Sequence, residues 1–509
     1  MSLLRGVKTL DTIILARALA ARAWPVIVAS AAFAPAGAAD PPAVEPAPVP
    51  AVESLPAAAA ASRVDAHAEF HRQWDAKNYE SAAVQAKVVV DLTEKEIGTA
   101  GEELQVALMN LATSQFMAGD YVGAESSYLR AIELTEASPK PRIERLARAN
   151  AGLAATYYRG KRYDLAVARF ERAIAFNRRS EGLLSESQLP LLEKFADALT
   201  ELGRYTDAQQ IQKYALRIAE RKYGGQDPRM APTLEKIGRW YARVGAYEQA
   251  LSVLRHAIDI VEKAEGEKSP NLVGPLTAIA DCSRRQLMDP VQMAMASPDA
   301  NRGSIFHDPM APMPFSPTTA LAAGQKALDR AVTIATERPD PSPVQVADVR
   351  TQYGDWFQTR SQPERALPQY LEAWKAGVRV PYQGKTLADA LFVKPVLLQY
   401  VRPEGWDRYS TRPSSEIRLV AVLLNLTVTA DGRATDIKVT DDSGDLRRAE
   451  QAQKAAATAR YRPRFENGQP VATPDVQFTQ IFQVLLPKPA APQDPPKEEP
   501  TEAPKDQKP

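Results

Sequence analysis

The sequence predicts a mainly α protein, in which a superhelical solenoid of about seven helical hairpins precedes a small α+β module. Three observations lead to this fold class. Tyrosine recurs every 42 residues, at Tyr79, Tyr121, Tyr163, Tyr205 and Tyr247. A small residue, usually alanine, follows each of these tyrosines at fixed spacing, as Ala250 and Ala257 follow Tyr247. Near residue 416 the apolar period changes from 3.6 to 2, which indicates that helices give way to strands.

One hairpin illustrates the pattern, the stretch TLEKIGRWYARVGAYEQALSVLRHAIDIVE over residues 233–262. Gly238 and Tyr241 lie on the inner face of its first helix, and Val244, Gly245 and Ala246 form the turn. The second helix carries one apolar stripe: Tyr247, Ala250, Leu254 and Ala257. Small residues in such a stripe let two helices approach closely, while the larger ones fill the space beside them.

The same register defines an array over residues 63–388. Its sixth unit is interrupted by an insertion at about 289–320, and a seventh unit carries Tyr353 and Gly354 in its first helix and Ala373 in its second. A helical bundle without a solenoid is the alternative, and the fixed period argues against it.

The phrase AERKYGGQDPRMAPTLEKIGRWYARVGAYEQAL resembles the tetratricopeptide repeat, in the 42-residue form found in kinesin light chains. This resemblance implies a right-handed superhelix of stacked hairpins. It also implies a concave face that binds peptides or protein segments.

Candidate binding residues of the array are those that the register turns away from the partner helix. They are Asn110, Phe116, Arg148, Tyr158, Arg159, Arg239 and Arg243. A mixed apolar and basic groove would suit a segment with carboxylate groups, because arginine binds carboxylates through two parallel hydrogen bonds. The alternative for each arginine is a solvated helix face. With 63 basic and 62 acidic residues the chain has no strong net charge, so nucleic acid is not an expected partner.

The N-terminus has the order of a secretory signal peptide, predicted for residues 1–39. Basic residues precede an apolar run over 23–34, and Gly37, Ala38 and Ala39 form a small-residue cleavage site before Asp40. Cleavage would release a periplasmic protein, whereas an uncleaved segment would anchor it in the inner membrane. Residues 40–62, rich in proline and alanine, are predicted to form an extended linker. The single cysteine, Cys282, fits an exported protein without disulfides.

The insertion contains several methionines and one histidine among prolines: Met293, Met295, His307, Met310 and Met313. Three interpretations remain open. It is a disordered excursion, a contact loop for a partner, or a Cu(I) site built from thioether ligands.

The C-terminal module covers residues 416–487, after a connecting segment at 389–415 that we expect to pack against the last repeat. Strands are predicted at 417–429, 434–440 and 475–486, with a hairpin turn at Asp431 and Gly432. A helix is predicted at 446–459. The tail, 488–509, is charged and rich in proline and cannot bury a core.

The run VTADGRATDIKVTDDSGD and the later ARYRPRFENGQPV resemble the C-terminal domain of TonB energy transducers. The resemblance implies a small periplasmic domain that pairs its sheet edge with a short segment of an outer-membrane protein. In that mode backbone groups carry the binding. Gln477 and Thr479 lie on the polar face of the predicted edge strand and are its candidate binding residues.

We find no sequence motif for catalysis and predict no enzyme activity, cofactor or metal. His67 and His71 have the spacing of a two-histidine metal site, but a surface pair without a third ligand is favoured. The leading hypothesis is an exported cell-envelope scaffold with protein partners. The alternatives are an anchored TonB-like transducer acting on outer-membrane transporters and an enzyme whose site lies between the array and residues 382–415.

Overall fold

The structure is a computed structural model that describes residues 62–289, 316–382, 385–403, 405, 416–442 and 444–486. The predicted signal peptide, the linker apart from Ser62, and the C-terminal tail lie outside the described residues. So does the greater part of the predicted insertion, with all five of its methionine and histidine candidates.

Seven helical hairpins form the array, as the sequence period predicts. In chain order the paired helices are α1 Arg63–Asp75 with α2 Tyr79–Ile97, α3 Glu102–Ala118 with α4 Tyr121–Glu136, α5 Ile143–Arg159 with α6 Tyr163–Glu181, α7 Leu189–Glu201 with α8 Tyr205–Tyr223, α9 Ala231–Arg243 with α10 Tyr247–Glu265, α11 Val273–Met288 with α12 Pro317–Thr336, and α13 Pro343–Gln358 with α14 Pro363–Gly377. The repeated tyrosine is the first residue of the second helix in each of the first five hairpins.

The tight turn inside each of the first five hairpins needs one residue with a left-handed backbone. That residue is glycine in three hairpins and lysine in two, at Lys77, Gly119, Lys161, Gly203 and Gly245, with φ between 57° and 87°. Glycine adopts this conformation without a steric cost, whereas lysine does so with some strain. The 42-residue period therefore includes the turn as well as the helices.

Close packing within a hairpin depends on the small residues of the stripe. Ala250, Leu254 and Ala257 are completely buried, as predicted. A Cβ atom placed on Gly238 would lie 2.6 Å from the Leu254 side chain, so the leucine fills the space that the glycine leaves. Such contacts build the apolar core of the array, whose buried residues fall into several clusters along the chain.

The array curves with the first helix of each hairpin on its inner side. Neighbouring first helices approach each other at α3 and α5, at α5 and α7, at α9 and α11, and at α11 and α13. The second helices lie farther apart. We call the first helices from α3 to α13 the inner helices, and the surface that they line the groove.

A three-stranded antiparallel sheet forms the C-terminal module. Its strands are β4 Ile417–Val428, β5 Ala434–Asp441 and β9 Thr473–Leu485, and β4 lies between the other two. Helix α16 Leu446–Ala457 packs on one face of the sheet, where Phe478 and Phe482 are buried beside Ala452. The predicted hairpin turn is present, with Gly432 at φ 79°. The helix ends two residues earlier than predicted.

Short elements that the sequence pattern did not reveal complete the module. They are α15 Leu387–Phe392 and the strands β1 Pro381–Tyr382, β2 Lys385–Thr386, β3 Val396–Gln399, β6 Arg460–Arg462, β7 Arg464–Glu466 and β8 Gln469–Val471. Strand β3 pairs with β6, and β7 pairs with β8. The connecting segment packs against the last hairpin through α15, as expected. Its strand β3 pairs with β6 of the module.

Among the described helices, none combines the length and the apolar composition that crossing a membrane requires.

Candidate protein-binding surfaces

Polar contacts join successive inner helices. Arg145 of α5 donates to Gln105 and pairs with Glu102 of α3, at 2.8 and 2.9 Å. Between α7 and α9, Lys236 pairs with Glu193 at 2.6 Å. These contacts fix the spacing of the helices and leave fewer charges for a ligand.

Two arginines predicted as binding residues are used in this way. Arg239 pairs with Glu235 at 2.9 Å, and it also donates to Thr277 Oγ1 and the Gly274 carbonyl of α11 at 3.0 and 3.3 Å. Arg243 pairs with Asp197 of α7. Both arginines lie in the groove, but each already has a carboxylate partner.

The other predicted groove residues fall into two groups. Asn110, Phe116 and Tyr158 are half-buried. The rings of Phe116 and Tyr158 lie 6.0 and 5.5 Å from those of Tyr121 and Tyr163, which begin the second helices of their own hairpins.

Arg148 and Arg159 are exposed on α5, eleven residues apart and therefore on one side of the helix. The charge of Arg148 acts on Glu181, whose pKa is lowered mainly by hydrogen bonds from Ser187 and Ser185 and to a smaller extent by Arg148. Arg148 thus lies near the end of α6, away from Arg239 and Arg243, and the predicted residues do not form a single cluster.

A charged position recurs along the inner helices, and the predicted binding residues include only one of its members, Arg239. Successive hairpins carry Asp197, Arg239, Asp281 and Asp355 at this position. The repeat register could have found it, since each residue lies one period after the last once the insertion is subtracted. Arg239 acts electrostatically on Asp281, so the charges interact along the groove.

The carboxylates toward the end of the groove have different environments. Asp281 pairs with Arg284 and Arg285 of its own helix at 2.6 and 2.7 Å. Burial alone would raise the pKa of Asp281, but these two arginines hold it below its usual range. Asp348 of α13 accepts a hydrogen bond from Gln352 at 2.8 Å, and burial raises its pKa.

Asp355 binds the C-terminal module to the array through a buried ion pair. Arg462 of β6 donates to both Asp355 oxygens, with Nε to Oδ1 at 2.9 Å and Nη2 to Oδ2 at 2.7 Å. The Tyr370 hydroxyl donates to the same carboxylate at 2.9 Å, and Arg462 also reaches the Leu391 carbonyl at 3.2 Å. Burial alone would lower the pKa of Arg462, but Asp355 offsets this effect and keeps the guanidinium charged.

Aromatic packing surrounds this ion pair. The Phe392 ring lies 5.0 Å from Phe465 and 5.9 Å from Tyr370. At the edge of the contact, Gln358 Nε2 donates to the Asp431 carbonyl in the turn between β4 and β5, at 2.7 Å. The module is therefore fixed to α13 and α14 by both polar and apolar contacts, which we call the junction.

Strand β9 lies at an edge of the three-stranded sheet. It pairs with β4 along nearly its whole length, and in the part of the chain that the structure describes it has no strand on its other side. Gln477 and Thr479 are exposed, opposite Asn425 and Leu423 of β4. The edge can therefore offer backbone N–H and C=O groups to an extended segment.

No group of three or more histidine, cysteine, aspartate or glutamate side chains suited to a metal ion occurs within the described ranges. His67 and His71 are exposed on α1, with ring centroids 4.5 Å apart.

Comparison with protein families agrees with both parts of the fold. Residues 103–179 and 188–263 match the tetratricopeptide repeat model, and residues 421–482 match the C-terminal model of Gram-negative bacterial TonB protein. The chain contains tetratricopeptide repeats and a TonB C-terminal domain. These domains indicate a protein that interacts with other proteins, and the second one suggests the envelope of a Gram-negative bacterium.

Solved structures similar to the tetratricopeptide array include BtubC (BKLC) from P. vanneervenii, at 19% identity over 53% of this chain and 94% of that one, with a TM-score of 0.37. A putative kinesin light chain with TPR-like repeats from Podosopora anserina has 18% identity over 41% of this chain and 98% of that one (TM-score 0.36). A tetratricopeptide repeat protein from Parabacteroides merdae has 14% identity over 62% and 94% of the two chains (TM-score 0.38). No curated protein matches the chain.

Proposed function

We propose that this chain is an exported scaffold of the Gram-negative cell envelope that holds protein segments at two surfaces. One surface is the groove along the inner helices, and the other is the β9 edge of the TonB C-terminal domain. The proposed contact residues are Asn110, Phe116, Arg148, Tyr158, Arg159, Arg239 and Arg243 in the groove, with Gln477 and Thr479 at the edge.

The position of β9 is the observation that carries the proposal. The domain contacts the last hairpin through β6 and the β4–β5 turn, so these contacts leave the β9 edge uncovered. An edge strand with exposed polar side chains such as Gln477 and Thr479 can accept an added strand without first breaking a pairing. Binding of this kind depends on main-chain hydrogen bonds, and it tolerates many side-chain sequences.

The second candidate function is a membrane-anchored transducer, which the match to the TonB model favours. The two candidates differ at the N-terminus. A scaffold of the periplasm should begin near Asp40 in its mature form and should fractionate as soluble periplasmic protein. N-terminal sequencing and mass spectrometry of the protein from cells test this prediction, and an intact N-terminus in the inner membrane would support the transducer.

Substitution of Thr479 by proline tests strand addition. We expect the full-length Thr479→Pro variant to lose those envelope partners that the edge captures, because proline distorts the strand and cannot donate a main-chain hydrogen bond. Capture from envelope extracts, followed by mass spectrometry, measures the loss. Gln477→Pro should give the same result.

Two control variants make the result interpretable. Thr479→Ala keeps the backbone N–H and should retain the edge partners, while the groove variant Arg239→Glu should lose a different set. Circular dichroism must show that each variant is folded. If folded proline variants retain every partner of the unaltered protein, strand addition at β9 is wrong.

A further inference from the structure

Glu201 is a half-buried carboxylate at the turn of the fourth hairpin, where α7 ends. Asp197, one helical turn earlier, takes the nearby Arg243 as its own partner. In the described part of the chain Glu201 forms no ion pair. Burial raises its pKa, Arg243 opposes this shift, and Asp197 adds to it.

The charge of Glu201 acts on three nearby tyrosines. Tyr158 and Tyr163 come from the turn of the third hairpin, with ring centroids 5.5 Å apart, and Tyr205 is the first residue of α8. All three are half-buried. Burial raises the pKa of Tyr163 and Tyr205, and the charge of Glu201 raises it further. The pKa of Tyr158 is raised first by burial and then by the charges of Asp197 and Glu201.

The charge of Glu201 departs from the register of the repeats. The residues one period before and one and two periods after it are Arg159, Arg243 and Arg285. Arg159 is exposed, and no ion pair joins it to Glu201. The fourth hairpin therefore places a negative charge in the groove at a position where its neighbours place positive charges.

We propose that Glu201, with Tyr158, Tyr163 and Tyr205 near it, receives a lysine or arginine side chain of a protein segment bound in the groove. A carboxylate without an ion-pair partner is stabilised when a cation comes into direct contact with it, and aromatic faces attract cations as well. The inference rests on the proposed function of the groove and specifies the partner. The partner needs a basic residue, whereas the groove arginines Arg239 and Arg243 are already neutralised.

A random dodecapeptide library displayed on phage provides the probe, selected separately on the full-length protein and on its Glu201→Gln variant. The unaltered protein should enrich peptides with lysine or arginine at one fixed position, and Glu201→Gln should lose this preference. Glu220→Gln is the control, because it removes the same charge from an exposed site on the second helix α8 and should leave the preference unchanged.

A synthetic peptide from the selection then gives the size of the contact by calorimetry. Glu201→Gln should weaken binding roughly tenfold, as expected for one charge-assisted contact. Replacing the basic residue of the peptide by glutamine should weaken binding to the unaltered protein by a similar factor. Because both changes remove the same contact, together they should cost little more than either one.

Several results would overturn the inference, and they separate it from the proposed function. Peptides that require the groove, shown by their loss with Arg239→Glu, but that carry no basic preference would refute the Glu201 site alone. A library that yields no groove-dependent peptide would refute the groove function too. If Glu201→Gln and Arg159→Gln lowered the melting temperature equally, the role of Glu201 would be to stabilise its own chain and not to bind a partner.

Discussion

The groove and the β9 edge offer opposite kinds of binding surface. In the groove, most charged side chains already neutralise each other, as Arg243 and Asp197 do. At the edge, the available groups belong to the backbone, and the exposed side chains Gln477 and Thr479 are uncharged. Charge alone therefore does not mark a binding site in this chain. If both surfaces bind protein segments as proposed, groove specificity depends on the few groups left without partners, and edge binding depends on main-chain geometry.

The junction joins the helices of the groove to the domain that carries β9. Among the changes considered, removal of the Asp355 carboxylate should lower the free energy of unfolding most. Asp355→Ala leaves the Arg462 guanidinium buried without its carboxylate. We expect a loss of about 3 to 5 kcal/mol in the free energy of unfolding of the junction, measured by chemical denaturation of the full-length protein.

Two further variants sharpen this prediction. The double variant Asp355→Leu with Arg462→Met should recover much of the loss, because apolar side chains of similar size need no charge partner. Glu466→Gln breaks the more exposed pair with Arg464 and should cost less than about 1 kcal/mol. Equal losses for Asp355→Ala and Glu466→Gln would mean that the junction does not hold the domain.

A smaller effect is expected from overpacking one hairpin. Ala250 is completely buried against the partner helix, so Ala250→Leu should cost roughly 1 to 3 kcal/mol in the free energy of unfolding of the array. The variant should also impair groove binding while leaving capture at β9 intact. Ser252→Leu, on the exposed side of the same helix, is the matched control. An Ala250→Leu protein as stable as the Ser252→Leu protein would show that the register is wrong.

The array could be predicted from the sequence because each repeat carries the same residue pattern. Tyr247, Ala250 and Gly245 have counterparts at fixed spacing, and a repeated spacing is recognisable even where one repeat has a different residue. Strand β4 and the Asp431–Gly432 turn could be predicted from local patterns. A half-buried strand alternates apolar and polar residues, and a tight hairpin turn requires particular residue types. The seventh hairpin followed once the insertion was subtracted.

The junction could not be predicted in the same way. Arg462 and Asp355 are 107 residues apart, and nothing local to either one indicates its partner. Strands β3 and β6 are too short to show an alternating pattern. The groove residues were assigned by their position on a helix face, but whether Arg239 is free or paired depends on Glu235, Gly274 and Thr277 together. Side-chain competition of this kind appears only when the helices are packed.

The proposed function requires that the edge and the groove bind their partners separately. Hydrogen exchange measured by mass spectrometry on the full-length protein tests it most directly, with and without a partner that Thr479→Pro loses. We expect this partner to slow exchange in Thr473–Leu485 and to leave exchange in the inner helices from α7 to α11 unchanged. Slower exchange in those helices, with no change in β9, would show that the two surfaces do not bind separately.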